Sequence, residues 1–353
     1  MIFLDANASV PPTKAALDRF SECVGQRGNP SAPHGLGRAM RRVLDQARDE
    51  VASALGFAAE EVVFTSGASE GNRWIIDAAR ARGMDRFAMS PLEHPSLYKG
   101  LADAQIWPVD ARGRPRDLDA CQGAQVVFCT AAHNETGIIV DLEEIASNLD
   151  DDTIFVVDAA QRFARSALSV ARIDALVVSA HKMGGIAGVG AMLLRGRAQA
   201  LPSPWAGGGQ EAGRRPGTEP VALIAAMGAA ARDIDTTRQA NQALTPLRDA
   251  LQARVLAMCN GRVVGAGAAR LPQTTAIALR GIGGDALRMK MDRQGLAVGF
   301  GSACSALAPE PSPGLRALGL CDEEAKATLR LSLAPGVEVD VDEVDRRMRR
   351  VFG

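Results

Sequence analysis

The sequence is poor in the residues on which several function classes depend. Its six cysteines (Cys23, Cys121, Cys129, Cys259, Cys304 and Cys321) form no Cys-x-x-Cys pair and are joined by only four histidines. Neither a zinc knuckle nor a disulfide framework fits, no metal site is expected, and the thiols read as reduced. Aromatic residues make up 4%, with a single tyrosine, too few for stacking platforms that bind single-stranded nucleic acid. No charge excess exists either: 40 Lys and Arg face 41 Asp and Glu, a net charge of -1, so there is no bulk field to gather nucleic acid or an acidic membrane. The longest apolar run, 221–231, falls short of the ~20 residues that span a bilayer. The opening Met-Ile-Phe-Leu-Asp lacks the basic segment and apolar core of a signal peptide. A cytoplasmic enzyme is the expectation, with no direct nucleic-acid or membrane partner. Lysine is scarce as well: Lys14, Lys99, Lys182, Lys290 and Lys326 are the full set, so an amine nucleophile has few candidates.

What is present is an ordinary globular balance, 47% hydrophobic and 23% charged over 353 residues, long enough for about two domains at ~150 residues each. Residues 36–55 place Met40, Val43, Leu44, Ala47, Val51 and Leu55 at helical spacing, with Gly56 as a stop. Strand-like runs at 61–65, 125–130, 153–157, 175–179 and 190–194 alternate with helical stretches at 68–82 and 141–148. That alternation predicts a mostly parallel sheet covered by helices. Helical stretches at 221–233 and 243–258 lead into strands at 274–279 and 328–333 and helices at 284–293 and 341–352, the texture of a smaller α+β domain. The expected division is a large domain at 13–240 and a small one formed by 1–12 and 241–353.

Ligands of an open parallel sheet bind beyond the carboxyl ends of its strands, and three such ends carry polar residues. One run ends in Asp158 with Gln161 beyond it, a second in Ser179-Ala-His181-Lys182, and a third in Phe64-Thr-Ser66-Gly67-Ala68-Ser69-Glu70, where helix amides and a hydroxyl can cradle a phosphate. Singly, each has a plainer reading: a helix cap, a loop cap, a solvated lysine. Together, a phosphate cup, an acid and a lysine point to pyridoxal 5'-phosphate, which needs a lysine for its Schiff base, an acid at its pyridine nitrogen and donors for its phosphate.

The sequence resembles the cysteine desulfurases, in the class V aminotransferase branch of fold-type I pyridoxal phosphate enzymes. The resemblance runs through Gly28-Asn-Pro-Ser-Ala-Pro-His34, Glu93-His94, Asn134-Glu-Thr-Gly137, Val157-Asp-Ala-Ala-Gln161, Ser179-Ala-His-Lys182, Gly207-Gly-Gly-Gln-Glu211, Arg215-Pro-Gly-Thr218, Gly301-Ser-Ala-Cys304 and Leu329-Arg-Leu-Ser-Leu333. It implies an aspartate aminotransferase-like fold, α/β, with a mostly parallel seven-stranded sheet in the large domain. It also implies Lys182 as the Schiff-base lysine, Asp158 as the pyridinium partner, Gln161 at the ring hydroxyl and His94 stacked on the ring as a proton carrier. Ala68, Ser69, Ser179 and His181 would surround the phosphate, with Thr218 reaching in from the second subunit of a homodimer. Asn134 and Arg330 would hold the substrate carboxylate, and Cys304 would take the sulfur of L-cysteine as a persulfide, leaving L-alanine.

Cys304 lies in a glycine- and proline-rich stretch, about 299–313, that reads as a mobile loop, where a reactive thiol is expected to be exposed; the plainer reading is a small buried residue. The other five cysteines read as structural, as do His34 and His133. Two segments depart from the family pattern: Asp5-Ala-Asn-Ala-Ser9, and His181-Lys-Met-Gly-Gly-Ile-Ala-Gly188, which lacks the usual Gly-Pro-Lys after the lysine. The chain ends soon after Phe352, short of the extension with which other members dock an iron–sulfur scaffold. The sulfur acceptor is therefore open among an iron–sulfur cluster assembly scaffold, a tRNA-thiolation protein and a cofactor-sulfuration protein. The alternatives are a cysteine or selenocysteine lyase or an aminotransferase without persulfide transfer, and a non-catalytic paralogue.

Overall fold

A computed structural model describes residues 1–169, 171–301 and 310–353. Two sheets organise them. Twelve strands occur in chain order: β1 (Ile2–Leu4), β2 (Val62–Thr65), β3 (Phe87–Met89), β4 (Gln105–Ile106), β5 (Val126–Thr130), β6 (Ile154–Asp158), β7 (Ala175–Ser179), β8 (Gly190–Leu194), β9 (Gly261–Val263), β10 (Thr274–Leu279), β11 (Leu296–Phe300) and β12 (Thr328–Ser332). The larger sheet has seven strands in the order β2-β8-β7-β6-β5-β3-β4. It is parallel from β7 to β4, and only β8 runs against its neighbours.

Every residue of β5, β6, β7 and β8 is buried, and the side chains divide by alternation. Val126, Phe128, Ile154 and Val156 join Trp74 and Ile75 in one core, while Val127, Cys129, Phe155 and Val157 join Leu44, Val51 and Ile224 in the other. Helices thus cover both faces, the arrangement that near-continuous apolar strands require. Helix α1 (Lys14–Val24) is capped by the Thr13 hydroxyl. Helix α2 (Gly35–Leu55) starts at His34, whose Nδ1 accepts from the Gly37 N–H, and stops at Gly56, which adopts φ 70°. It lies so close to the helix Val221–Arg232 that a Cβ at Gly228 would sit 2.8 Å from Ala47 Cα.

The smaller sheet runs β1-β11-β12-β10-β9 and is antiparallel except for β1 on β11. Its core gathers Leu4, Leu287, Met291, Leu329, Leu331, Val344 and Met348. The first residues therefore belong with the last hundred. From there the chain crosses to the larger sheet, where Val10 N–H donates to the His181 carbonyl (3.0 Å) and Thr13 N–H to that of Gly184 (2.8 Å).

The seven-stranded, mostly parallel sheet expected from the sequence is present. Strands β3, β4, β9 and β11 and helix α1 were not expected. The glycine-rich stretch begins later than its composition suggests: Gly299 and Phe300 close β11, paired with Arg330 and Leu329, and Pro313 opens a short helix, Pro313–Ala317. Cys304 lies outside the described residues. Cys23, Cys121 and Cys129 are buried, but Cys321 is exposed at the start of the helix Asp322–Lys326, contrary to a structural reading.

Candidate active site

One cavity of about 300 Å³ lies between the two sheets, at the carboxyl ends of β5, β6 and β7. Ala68, Ser69, His94, Asn134, Asp158, Gln161, Ser179, His181, Lys182 and Arg330, all singled out in the sequence, line it together with Asn7, Ala8, Thr130 and Ala160. Register explains the convergence: Thr130 pairs with Asp158, and Asp158 with Val177 two residues before Ser179, so the ends of three parallel strands stand side by side. Thr218 is exposed and is not part of this lining.

Asp158 is buried at the last position of β6 and is held on both oxygens. Oδ1 accepts from the Ala160 N–H and Oδ2 from Asn72 Nδ2, each at 3.0 Å. Asn72, three residues after Ser69 on helix α3 (Ala68–Ala81), also donates to Ser96 Oγ (3.1 Å), and Ser96 Oγ lies 2.9 Å from His94 Nδ1. The Ser96 N–H also donates to that Nδ1 (3.2 Å), which places the neutral ring's proton on Nε2. Burial lowers the His94 pKa below the ordinary imidazole range; Asp158 opposes that shift and Lys182 reinforces it. The ring is neutral near pH 7. Behind Asp158, burial and the Asp158 charge push the Glu93 carboxyl well above the usual range, although its Oε1 accepts from the Thr130 N–H at 2.6 Å.

Helix α3 opens toward the cavity with no side-chain cap; its Ala68 N–H donates to Ser179 Oγ at 2.9 Å. An uncapped N-terminus carries unpaired amides and partial positive charge, a natural anion seat. Lys182 ends the short turn Ala180–Lys182 directly after β7. Its neighbour His181 is held neutral, with a pKa lowered to about 4 by burial and by the charges of Lys182 and Arg165.

Three residues beyond Asp158, Gln161 donates from Nε2 to the Asn7 carbonyl (3.0 Å) and accepts on Oε1 from the buried Arg165. A guanidinium can only donate, so Arg165 fixes which way the Gln161 amide faces. Arg330, in β12 and 2% exposed, donates from NH1 to the Asn134 carbonyl (2.9 Å) and from NH2 to Asp5 Oδ1 (2.6 Å). Its Nε is buried without a partner among the described residues.

The cavity therefore pairs a lysine and a fixed carboxylate with an anion seat and a buried guanidinium. Over residues 2–346 the sequence matches the aminotransferase class-V family. The chain belongs to that family. The cysteine desulfurase NifS of Azotobacter vinelandii is 34% identical over 374 residues, covering 99% of this chain and 91% of the relative. A solved NifS-like protein from Rickettsia africae superposes with a TM-score of 0.90 at 27% identity, over 100% of this chain and 99% of that one. SspA, solved in complex with cysteine, gives 0.79 at 26%, over 95% and 99%.

Class-V aminotransferases of this kind depend on pyridoxal phosphate, and the lining fits it. The uncapped α3 suits a phosphate, Asp158 suits a pyridinium nitrogen, and Lys182 is the only lysine in the lining. Asn7, Asn72, Ser96 and Arg165 escaped the sequence reading. Of these only Asn72 left a signal, a polar residue on the Ser69 face of an otherwise apolar-buried helix. His133 and His34 take supporting parts: His133 is buried 2.9 Å from Thr136 Oγ1, and His34 caps α2.

Proposed function

We propose that the protein is a pyridoxal phosphate-dependent cysteine desulfurase that converts L-cysteine to L-alanine and holds the sulfur as a persulfide on Cys304. The observation that carries this reading is the single cavity joining Lys182, Asp158 and the α3 N-terminus on one side to Arg330 on the other, in a chain whose relatives bear that name. Bound pyridoxal phosphate supplies a sink for the electron pair left when the substrate's α C–H bond breaks. Lys182 would hold the cofactor through its amine, and that amine is placed to take the α-proton of the substrate. Asp158, immobilised by Asn72 and Ala160, keeps a proton on the ring nitrogen. Ala68, Ser69, Ser179 and His181 would seat the phosphate, and Gln161 would donate to the ring hydroxyl.

Arg330 and Asn134 fix the substrate carboxylate, for which a guanidinium fork is the natural partner. His94, on the cavity wall with its proton on Nε2, would face the bound cofactor and deliver a proton to the product carbon. The Cys304 thiolate attacks the substrate sulfur. A sulfur–sulfur bond forms, the carbon–sulfur bond breaks, and its electron pair stays with the β-carbon, which takes one proton to become the alanine methyl.

The two-sheet layout supports a division into a large domain, 13–240, and a small one, 1–12 plus 241–353. Thr218, exposed and outside the chain's own cavity lining, would be free to complete the partner's phosphate seat in a homodimer. No helix among the described residues is long and apolar enough to cross a membrane, which is compatible with a cytoplasmic enzyme delivering sulfur to an acceptor protein in iron–sulfur assembly, tRNA thiolation or cofactor sulfuration. The test is to incubate the holoenzyme and Cys304→Ala with L-cysteine and to assay alanine and protein-bound persulfide. Alanine with a persulfide that vanishes in the variant is expected. Pyruvate, or turnover unaffected by the substitution, overturns the desulfurase reading.

A further inference from the structure

Arg330 is almost completely buried, and a guanidinium keeps its charge at any physiological pH, so it needs a counter-charge whether or not substrate is present. Asp5 provides one. Its Oδ1 lies 2.6 Å from Arg330 NH2, a short charge-assisted contact. The position of Asp5 does not depend on that contact, because the backbone around it is tied to β12: Asp5 bridges to Ser332, Ala6 N–H donates to the Ser332 carbonyl (3.1 Å) and Asn7 N–H to Ser332 Oγ (2.9 Å).

The remaining sides of the guanidinium are restricted. A Cβ at Gly299 would lie 2.4 Å from Nε and 2.5 Å from NH2, so the β11 backbone closes that edge. The Asn134 carbonyl occupies one NH1 donor. A ligand carboxylate can reach only what is left at the NH1/NH2 end, beside the donor that Asp5 already holds.

We propose that Asp5 is a built-in competitor for the substrate carboxylate. It neutralises Arg330 while the site is empty, weakens the hold on an incoming α-carboxylate by like-charge repulsion, and speeds release of the product by re-pairing with the guanidinium. Asp5 also has somewhere to turn. It lies on the wall of a second cavity of about 490 Å³, shared with Arg288, Asp292 and Gly299, and is not part of the lining of the first. This inference rests on the reading of Arg330 as the carboxylate anchor.

The test is titration of the holoenzyme with L-alanine and with L-alaninamide, which keeps the amine but lacks the negative charge, followed by the cofactor's visible absorption. Asp5→Asn keeps the side-chain shape and an acceptor for NH2 while removing the charge. Two carboxylates sharing one guanidinium, discounted for the 21% exposure of Asp5, correspond to about a tenfold change in affinity. Asp5→Asn is therefore expected to bind L-alanine about tenfold more tightly and L-alaninamide as the wild type does. Asp5→Ser, smaller and also uncharged, gives the same sign and guards against an effect of shape. Unchanged or weaker L-alanine binding in Asp5→Asn overturns the proposal, and so does equal tightening of both ligands. Arg330→Lys separates the two levels: if it fails to weaken L-alanine binding, the anchor reading falls and this proposal with it.

Discussion

Gly299→Ala tests whether the small sheet sets the substrate site. The added methyl carbon would stand 2.4 Å from Arg330 Nε, 2.5 Å from NH2 and 2.7 Å from Cζ, about 1 Å inside the ~3.5 Å at which such atoms pack. Neither side can yield freely. The guanidinium is held by Asp5 at 2.6 Å and by the Asn134 carbonyl at 2.9 Å, and Gly299 is ladder-paired with Arg330 itself. Displacing the guanidinium by that distance forfeits a charged hydrogen bond to the substrate carboxylate, about 1.5–3 kcal/mol, or roughly 10- to 150-fold in kcat/KM. Steady-state alanine formation from L-cysteine should show this loss mainly as a raised KM, while the absorption of the bound cofactor, seated on the other wall, stays at its wild-type position. A variant with unchanged KM refutes the assignment of Arg330 to the carboxylate. One that loses the cofactor refutes the separation of the two walls.

Three further outcomes are expected. Asp158→Asn loses the charge facing the ring nitrogen and keeps one oxygen to accept from either Asn72 Nδ2 or the Ala160 N–H, both of which now donate to the carboxylate, so alanine formation should fall by at least about 100-fold with cofactor still bound; near-normal turnover contradicts the role. Arg48→Met strands Glu211, whose side chain is 1% exposed and which Arg48 grips through both oxygens at 2.7 and 2.9 Å. Breaking such a buried pair costs about 3–5 kcal/mol, a fall of roughly 4–7 °C in Tm for a chain of this length, and adding Glu211→Gln should restore part of it; an unshifted melting curve would show that the pair is not needed. His133 has a pKa lowered to about 3 by burial and by the Arg330 charge, against ~6.5 unfolded. The unfolded chain then binds the extra proton, so stability holds above ~6.5 and declines as pH falls from there toward 3. Urea melts of His133→Asn at pH 7 and pH 5 should show a smaller decline than the wild type.

The legible parts of the fold were those whose side chains face apolar surroundings on both sides. Strands β5 to β8 are unbroken apolar runs because helices cover both faces of the sheet, and their polar ends, Asp158 and Ser179-Ala-His-Lys182, stood out against that background. Strand β11 was missed because its last two residues, Gly299 and Phe300, run straight into Gly301, and together they have the composition of a turn. It is a strand because β1 and β12 flank it, and Gly299 is a glycine because Arg330 leaves no room for more. The short β3 and β4 carry too few residues for a pattern. Asn7 acts through partners distant in the chain: its carbonyl accepts from Gln161, and its Oδ1 from Gln273 and Thr274. No local pattern encodes such contacts.

The first thirteen residues explain why a site divided between two sheets can have fixed dimensions. Leu4 is buried in the small core, and Asp5 holds Arg330. Asn7 donates to the Asn134 carbonyl at 3.1 Å and receives Gln161 on its own carbonyl. Val10 and Thr13 then bind the backbone on either side of Lys182, at His181 and Gly184. A substrate α-amino acid presents its amine and its carboxylate on one carbon, so the distance from the lysine to the guanidinium must be held within fractions of an ångström for both ends to bind at once. A single short segment touching both groups, with a turn at Ala6–Ala8 closed by the Ala8 N–H to the Asp5 carbonyl (3.0 Å), meets that requirement more directly than packing between two separately folded layers, where small errors of orientation grow with distance from the contact. Although Asp5-Ala-Asn-Ala-Ser9 departs from the family pattern, the backbone bonds that set the spacing, Ala6 N–H to the Ser332 carbonyl and Val10 N–H to the His181 carbonyl, are made.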